Sequence, residues 1–182
     1  MDADSGAPLW WIETGDNPRT QPIHADGYLF LLGTKMLKLR PDGKYDPFWE
    51  RKIRVSEYNV VYSHTVIRDG RLYALCGSVA RKGKGQPVTL TTVDIATGEV
   101  IDRRPAGTGA TIVMAQGMLY LVDNRPRVTL LKPVKQGLQE VSYFEHSLGT
   151  THELYTHAAI GEGRLALRHQ TDAYVYDLRP TP

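Results

Sequence analysis

The chain has 182 residues, a net charge of +2 and a single cysteine, Cys76. This length suffices for one domain with a sizeable core, and 41% apolar with 23% charged residues is ordinary globular composition. One cysteine excludes an internal disulfide, and the near-neutral charge provides no long-range field to attract nucleic acid. The 17 glycines, 11 prolines and 10 tyrosines, against 3 phenylalanines, favour a protein rich in turns and strands.

Targeting and membrane signals are absent from the sequence pattern. No stretch approaches the roughly 20 consecutive apolar residues of a transmembrane helix, and residues 28–32 are typical of the longest apolar runs. The N-terminal residues MDADSGAPLWW lack the basic and apolar regions of a secretory signal. The sequence therefore predicts neither a membrane span nor a signal peptide.

The first predicted element is an outer strand within residues 8–13, which begins PLWWI and has no repeat in front of it. Four later segments then share one layout, in which a short apolar stretch, a polar residue with glycine and an alternating apolar strand follow each other. They are PIHADGYLFLLG (22–33), TVIRDGRLYALCG (65–77), IVMAQGMLYLVDN (112–124) and AAIGEGRLALRHQ (158–170). The shared glycines, at 27, 70, 117 and 163, are 43, 47 and 46 residues apart, which is a period typical of propeller blades.

The polar–glycine pairs predict a hairpin in every repeat. Asp26-Gly27 and Asp69-Gly70 are pairs favoured in tight hairpin turns, and Gln-Gly and Glu-Gly at the same place in the later repeats are weaker forms. A third strand is predicted within residues 36–44, 90–100, 128–138 and 173–179. In the first three repeats a turn leads on to a fourth strand, whereas the last repeat has none.

These elements predict an all-β protein, a β-propeller with four blade-like repeats of four strands each. We expect a single domain or partial propeller over residues 1–182, with repeats at about 14–55, 56–104, 105–145 and 146–182. Strand 8–13 could complete the last blade and lock the ring, in this chain or with a second copy. A cut through a larger propeller would produce the same offset, and the sequence leaves both interpretations open. No sustained helical periodicity competes with this interpretation.

One set of polar residues recurs at the same place in the four repeats. His64 and His157 lie six residues before the turn glycine, and Gln21 and Thr111 are their equivalents. The first strand of a propeller blade lines the central channel, so these four residues are expected to ring one mouth of it. The sequence leaves two interpretations open, a polar binding site at the channel mouth and polar side chains that are hydrogen-bonded at strand starts.

Two stretches carry a family resemblance. VDIATGEVIDRR (93–104) and HAAIGEGRLALRHQTDAYVYDLR (157–179) resemble repeats of the pyrroloquinoline-quinone-type, or quinoprotein-like, propellers, and the resemblance extends over residues 9–179. It implies the propeller fold. The family includes non-enzymatic scaffolds, such as the outer-membrane assembly lipoproteins, and quinone-dependent alcohol dehydrogenases. Its propellers have seven or eight blades, whereas this chain has four repeats.

The resemblance also implies what an enzyme would require. Quinoprotein alcohol dehydrogenases use a vicinal disulfide, a catalytic aspartate and a calcium ion, and Cys76 has no neighbouring cysteine. We therefore expect a non-catalytic scaffold or binding module without cofactor, which engages a partner through blade tops and channel mouth. The alternative is part of a quinone-dependent oxidoreductase with pyrroloquinoline quinone and calcium, whose other blades or cofactor site lie outside this chain.

The expected partner is a protein or a small ligand, and not a nucleic acid. A homodimer, in which two four-bladed chains make an eight-bladed ring, is a further possibility that the strand arithmetic leaves open. The family resemblance implies a periplasmic or other extracytoplasmic location.

Overall fold

The structure is a computed structural model, which describes most of the chain in nine ranges. They are residues 4–13, 22–31, 35–50, 65–76, 88–107, 110–123, 127–146, 158–169 and 172–179. Every structural statement below refers to these residues.

The described residues form antiparallel sheets that follow one another along the chain, and no helix occurs among them. Blade 1 contains β1 (Ile23–Ala25), β2 (Tyr28–Leu31), β3 (Lys35–Leu39) and β4 (Tyr45–Glu50). Blade 2 contains β5 (Thr65–Arg68), β6 (Arg71–Cys76), β7 (Thr89–Asp94) and β8 (Val100–Pro105). Blade 3 contains β9 (Thr111–Ala115), β10 (Met118–Asp123), β11 (Arg127–Val134) and β12 (Gly137–Glu145). Blade 4 contains β13 (Ala159–Gly161), β14 (Arg164–His169) and β15 (Asp172–Asp177). The strands of each blade are paired in chain order.

The first hairpin of every blade has the same turn. Its two central residues both have positive φ, between 50° and 77°, in all four blades. This is the type I′ geometry, whose twist matches that of the flanking strands. The predicted hairpins are confirmed, including those in which Gln116 or Glu162 replaces the favoured aspartate at the first turn position.

A second feature also repeats between the third and fourth strands. The pairing register shifts by a β-bulge at Met36/Leu37 in blade 1, at Thr92/Val93 in blade 2 and at Leu130/Leu131 in blade 3. Bulges increase the local twist of a strand pair. The fourth strand of each of these three blades is therefore twisted relative to the third strand by the same kind of bulge.

Three hydrophobic cores lie between neighbouring blades, because side chains alternate between the two faces of each sheet. In β6, Leu72 and Ala74 pack on the blade 1 side, and Tyr73 and Leu75 pack on the blade 3 side. The innermost strands contact each other in the order β1, β5, β9, β13. Face-to-face sheets in chain order with the first strands innermost are the β-propeller arrangement, so the predicted fold is confirmed.

The prediction for residues 8–13 is wrong. The structure gives these residues no strand and pairs β15 only with β14, so blade 4 has three described strands. The Trp10 indole N–H instead donates to the carbonyl of Gly43 at 2.9 Å, and its ring lies 4.6 Å from that of Tyr45. The N-terminal segment thus packs on blade 1, where a partly buried hydrogen bond and an aromatic contact hold it. Between β13 and β1 the described residues make no contact comparable to those of the other inner strands.

Candidate functional site

Of the four residues predicted at the channel mouth, the structure describes Thr111. Gln21, His64 and His157 lie outside the described residues. Thr111 begins β9, the innermost strand of blade 3, and is paired with Val122. Its side chain is 1% exposed, and its hydroxyl is buried without a hydrogen-bond partner. A ligand would reach this hydroxyl only if neighbouring groups moved, so the channel-mouth ring stays a prediction.

Next to Thr111, two buried polar side chains tie together the end of blade 3. The Asp123 carboxylate accepts a hydrogen bond from the Gly107 N–H at 2.9 Å. His146 is 4% exposed, and its Nε2 lies 3.1 Å from the Asp123 carbonyl oxygen. Because a carbonyl oxygen only accepts, Nε2 carries the proton and donates. These contacts hold the segments after β8 and β12 against β10, and they make His146 a structural histidine.

A pocket of about 400 Å³ opens between the outer parts of blades 2 and 3. We call it the charged pocket, because acidic and basic side chains line it together with a few apolar ones. Its lining residues are Arg104, Pro105, Leu121, Asp123, Arg127, Thr129, Leu131, Glu140 and Glu145. β8, β10, β11 and β12 all contribute, so the pocket depends on the packing of two blades.

Both arginines of the charged pocket are held in place. Arg127 donates to Glu140 at 2.5 Å and to the Thr129 hydroxyl at 3.1 Å, and its guanidinium lies 3.9 Å from the centre of the Tyr143 ring. Arg104 donates to the carbonyl oxygen of Leu138 in the neighbouring blade. Positioned guanidinium groups with acidic neighbours suit polar and charged groups of a partner rather than an apolar ligand.

The turn between β11 and β12 is clamped onto blade 2 from both sides. Arg71 donates to the carbonyl oxygens of Val134 at 2.5 Å and Lys135 at 3.2 Å. The carboxylate of Asp102 accepts the Leu138 N–H at 3.2 Å. These hydrogen bonds tie the outer parts of blades 2 and 3 together beside the charged pocket.

Cys76, the one cysteine of the chain, does not line the charged pocket. Cys76 is 7% exposed in the core between blades 1 and 2, and burial raises the pKa of its thiol. A thiol that stays protonated is a poor nucleophile and metal ligand. Within the described ranges no group of three or more His, Cys, Asp or Glu side chains is placed to hold a metal ion.

Sequence reasoning missed the charged pocket. Arg104, Arg127 and Glu140 are ordinary strand residues in the sequence, without a motif spacing. Arg104 contacts Leu138, 34 residues away and in the next blade, and that contact exists only once the blades are stacked. The one available signal was the density of charge on the predicted outer strands. A solvent-exposed edge strand without any binding site has the same density of charge.

Comparison with known proteins bears on the fold. No protein-family model matches the chain, and no curated protein matches it. Among solved structures, the chain is similar to BamB from Moraxella catarrhalis, with a TM-score of 0.54 and 14% sequence identity over 85% of this chain. It spans 41% of the length of that structure. At this identity the likeness supports a shared β-propeller-like fold. In the described part of the chain, no helix is long and apolar enough to cross a membrane.

Proposed function

We propose that the chain is a β-propeller binding module that holds a protein partner on the outer rim of its blades. The rim surface consists of the fourth strands β8 and β12, which contact each other. Val100, Val141 and Tyr143 on these strands are exposed by 41%, 53% and 57%. The resemblance to a family that includes scaffold propellers supports a binding role. Cys76 has no neighbouring cysteine of the kind that the dehydrogenases of this family use, which favours binding over catalysis.

The observation that carries the proposal is the pair of Arg127 and Tyr143 at the edge of the charged pocket. The guanidinium is stacked on an exposed tyrosine ring and fixed by Glu140. Arginine and tyrosine are, with tryptophan, the side chains enriched among the residues that dominate binding energy at protein interfaces, and a preordered pair loses little entropy on binding. Exposed aliphatic side chains beside held charges match the composition of a protein-binding surface.

The channel mouth is a second proposed contact surface. It would involve Gln21, His64 and His157, and also Thr111 if the groups that cover its buried hydroxyl moved. It would take a polar segment of the same partner or a small ligand. The repeat symmetry of these positions supports this extension.

Site-specific photo-crosslinking tests both surfaces in the cell that makes the protein. A photoreactive amino acid placed at Val100 or Val141 is expected to give one discrete crosslinked adduct, and loss of the adduct on protease digestion identifies the partner as a polypeptide. The control is the same amino acid at Ala96, an exposed turn residue. Adducts from His64 and His157 would add the channel mouth. The proposal is overturned if the folded rim variants give no polypeptide adduct beyond the control.

A direct assay addresses the alternative of a quinone-dependent oxidoreductase. Dye reduction with an alcohol, pyrroloquinoline quinone and calcium would identify an enzyme and contradict the scaffold proposal.

The solution mass of the purified chain separates a monomer from a homodimer.

A further inference from the structure

The lining of the charged pocket carries an unbalanced charge. Three carboxylates, those of Asp123, Glu140 and Glu145, face the guanidinium groups of Arg104 and Arg127, which gives the lining a formal charge of −1. All nine lining residues belong to the described ranges, and they come from blades 2 and 3. The chemistry of an occupant can therefore be inferred from the lining itself.

Both guanidinium groups of the pocket already have acidic partners. Arg127 donates to Glu140 at 2.5 Å. Arg104 lies 3.3 Å from the carboxylate of Asp102, which is not part of the pocket lining. An incoming anion would have to displace one of these carboxylates and would be repelled by those that remain. The arrangement of the charges therefore disfavours an anionic occupant.

Glu145 is the carboxylate of the pocket that the neighbouring arginine does not engage. It ends β12, and the register of the two strands places it opposite Arg127. The Arg127 side chain nevertheless binds Glu140 and stacks on the ring of Tyr143. Within the described ranges the exposed Glu145 carboxylate forms no ion pair. It is therefore available to a cation that enters the pocket.

The apolar part of the lining suits a cation with an aliphatic stem. Leu121 and Leu131 line the pocket together with Pro105, and both leucines are buried in the core between blades 2 and 3. Lysine and arginine cover apolar surface with their methylene groups and keep the charged end in polar surroundings. A wholly apolar group would instead remove water from the carboxylates of the pocket without replacing the lost hydrogen bonds.

We propose that the charged pocket is the acceptor site for one cationic side chain of the partner polypeptide, a lysine or an arginine. The stem of this side chain lies against Leu121 and Leu131, and its charged end pairs with Glu145. The inference rests on the proposed function, since it names the group by which the rim recognises its partner.

Two peptides that differ by one ammonium group measure the preference of the pocket. The probe is a capped tripeptide with lysine between two glycines, and the control has norleucine, which keeps the four-carbon stem and lacks the charge. NMR titration of the pocket side chains gives both affinities. We expect the lysine peptide to bind about tenfold or more tightly than the norleucine peptide, and its affinity to fall as salt is added.

Two variants of the protein form a matched pair. Glu145→Gln removes the charge of the exposed pocket carboxylate and should weaken binding of the lysine peptide about tenfold, with no effect on the norleucine peptide. Glu99→Gln removes the same charge from an exposed position outside the pocket lining and should leave both affinities unchanged. If Glu145→Gln does not fold, the two peptides still test the unaltered protein.

The photoreactive amino acid at Val141 connects the pocket with the partner in the cell. With this label in place, Glu145→Gln should lower the yield of the polypeptide adduct about tenfold. Glu99→Gln should leave the yield unchanged. A lower yield for Glu145→Gln alone identifies the partner as the source of the cationic side chain.

The inference is overturned if the two peptides bind alike or if the two glutamine variants have the same effect. Lysine binding that appears only in Arg125→Gln, a change outside the described residues, would make a cation of the chain itself the occupant and equally overturn it. An adduct at Val141 whose yield does not respond to Glu145→Gln would leave the proposed function standing and remove only this pocket assignment.

Discussion

At the scale of single residues, the packing of blade 3 on blade 2 leaves no space for a side chain at Gly137. Gly137 begins β12 with a φ of +126°, and a Cβ added there would lie 2.5 Å from the Cβ of Asp102. Few L-residues adopt this backbone conformation. Glycine at this position therefore allows the β11–β12 turn to lie directly on β8.

Gly137→Ala is expected to destabilise the protein through both strain and overlap. Backbone strain of this kind costs about 1–3 kcal/mol, and the clash with Asp102 adds to it. Denaturant unfolding measures the loss. Gly117→Ala is the control, because Gly117 also has a positive φ, +73°, but an added Cβ meets nothing within 4 Å. Equal losses for the two variants would contradict a steric role of Asp102.

At the scale of elements, the sequence predicted what local chemistry decides. The Asp-Gly turns, the alternation in β6 and the third strand after each hairpin all follow from neighbours in the chain. The position of the N-terminal segment did not, since Trp10 finds its partner, the Gly43 carbonyl, 33 residues away. The charged pocket was not predicted either. The bulge at Leu130/Leu131 decides which β12 residues lie opposite Arg127, and the sequence does not show where that bulge occurs.

Trp10→Ala should therefore loosen blade 1 and leave blade 4 unchanged. The substitution removes the hydrogen bond to Gly43 and the ring contact with Tyr45, which together are worth about 1–3 kcal/mol. Faster hydrogen exchange in β3 and β4, with unaltered exchange in β14 and β15, is the expected pattern. Trp11→Ala is the control, since Trp11 is 81% exposed. Faster exchange in blade 4 instead would restore the strand-completion hypothesis.

At the scale of the whole molecule, stability is distributed over the interfaces between blades. Blade 3 shares one core with blade 2 and another with blade 4, whereas the only core found for blade 4 among the described residues is the one with blade 3. Each blade contacts its neighbours in the chain, so the molecule behaves as a nearly one-dimensional array. Among the described residues blade 1 likewise shares a core only with blade 2, so opening is expected to begin at the two end blades, 1 and 4.

Leu165→Ala and Leu119→Ala test this arrangement. Both leucines are fully buried, and each truncation costs about 2–5 kcal/mol. In blade 4, Leu165→Ala should speed hydrogen exchange of β13–β15 while blades 1 and 2 keep their protection. In blade 3, Leu119→Ala should lower protection on both sides of the blade 2–3 core. Identical exchange patterns for the two variants would show a single cooperative unit instead.

The four matching type I′ turns have one more consequence. Because each hairpin is specified by its own dipeptide and each sheet is stacked only on its neighbours, a blade can be duplicated in frame without redesigning the others. Copying residues 71–117, from one turn to the next, should add one blade. Its face toward blade 3 would keep the native core, whereas its other face, which packs on blade 1 in the native chain, would meet blade 2 and would have to be redesigned.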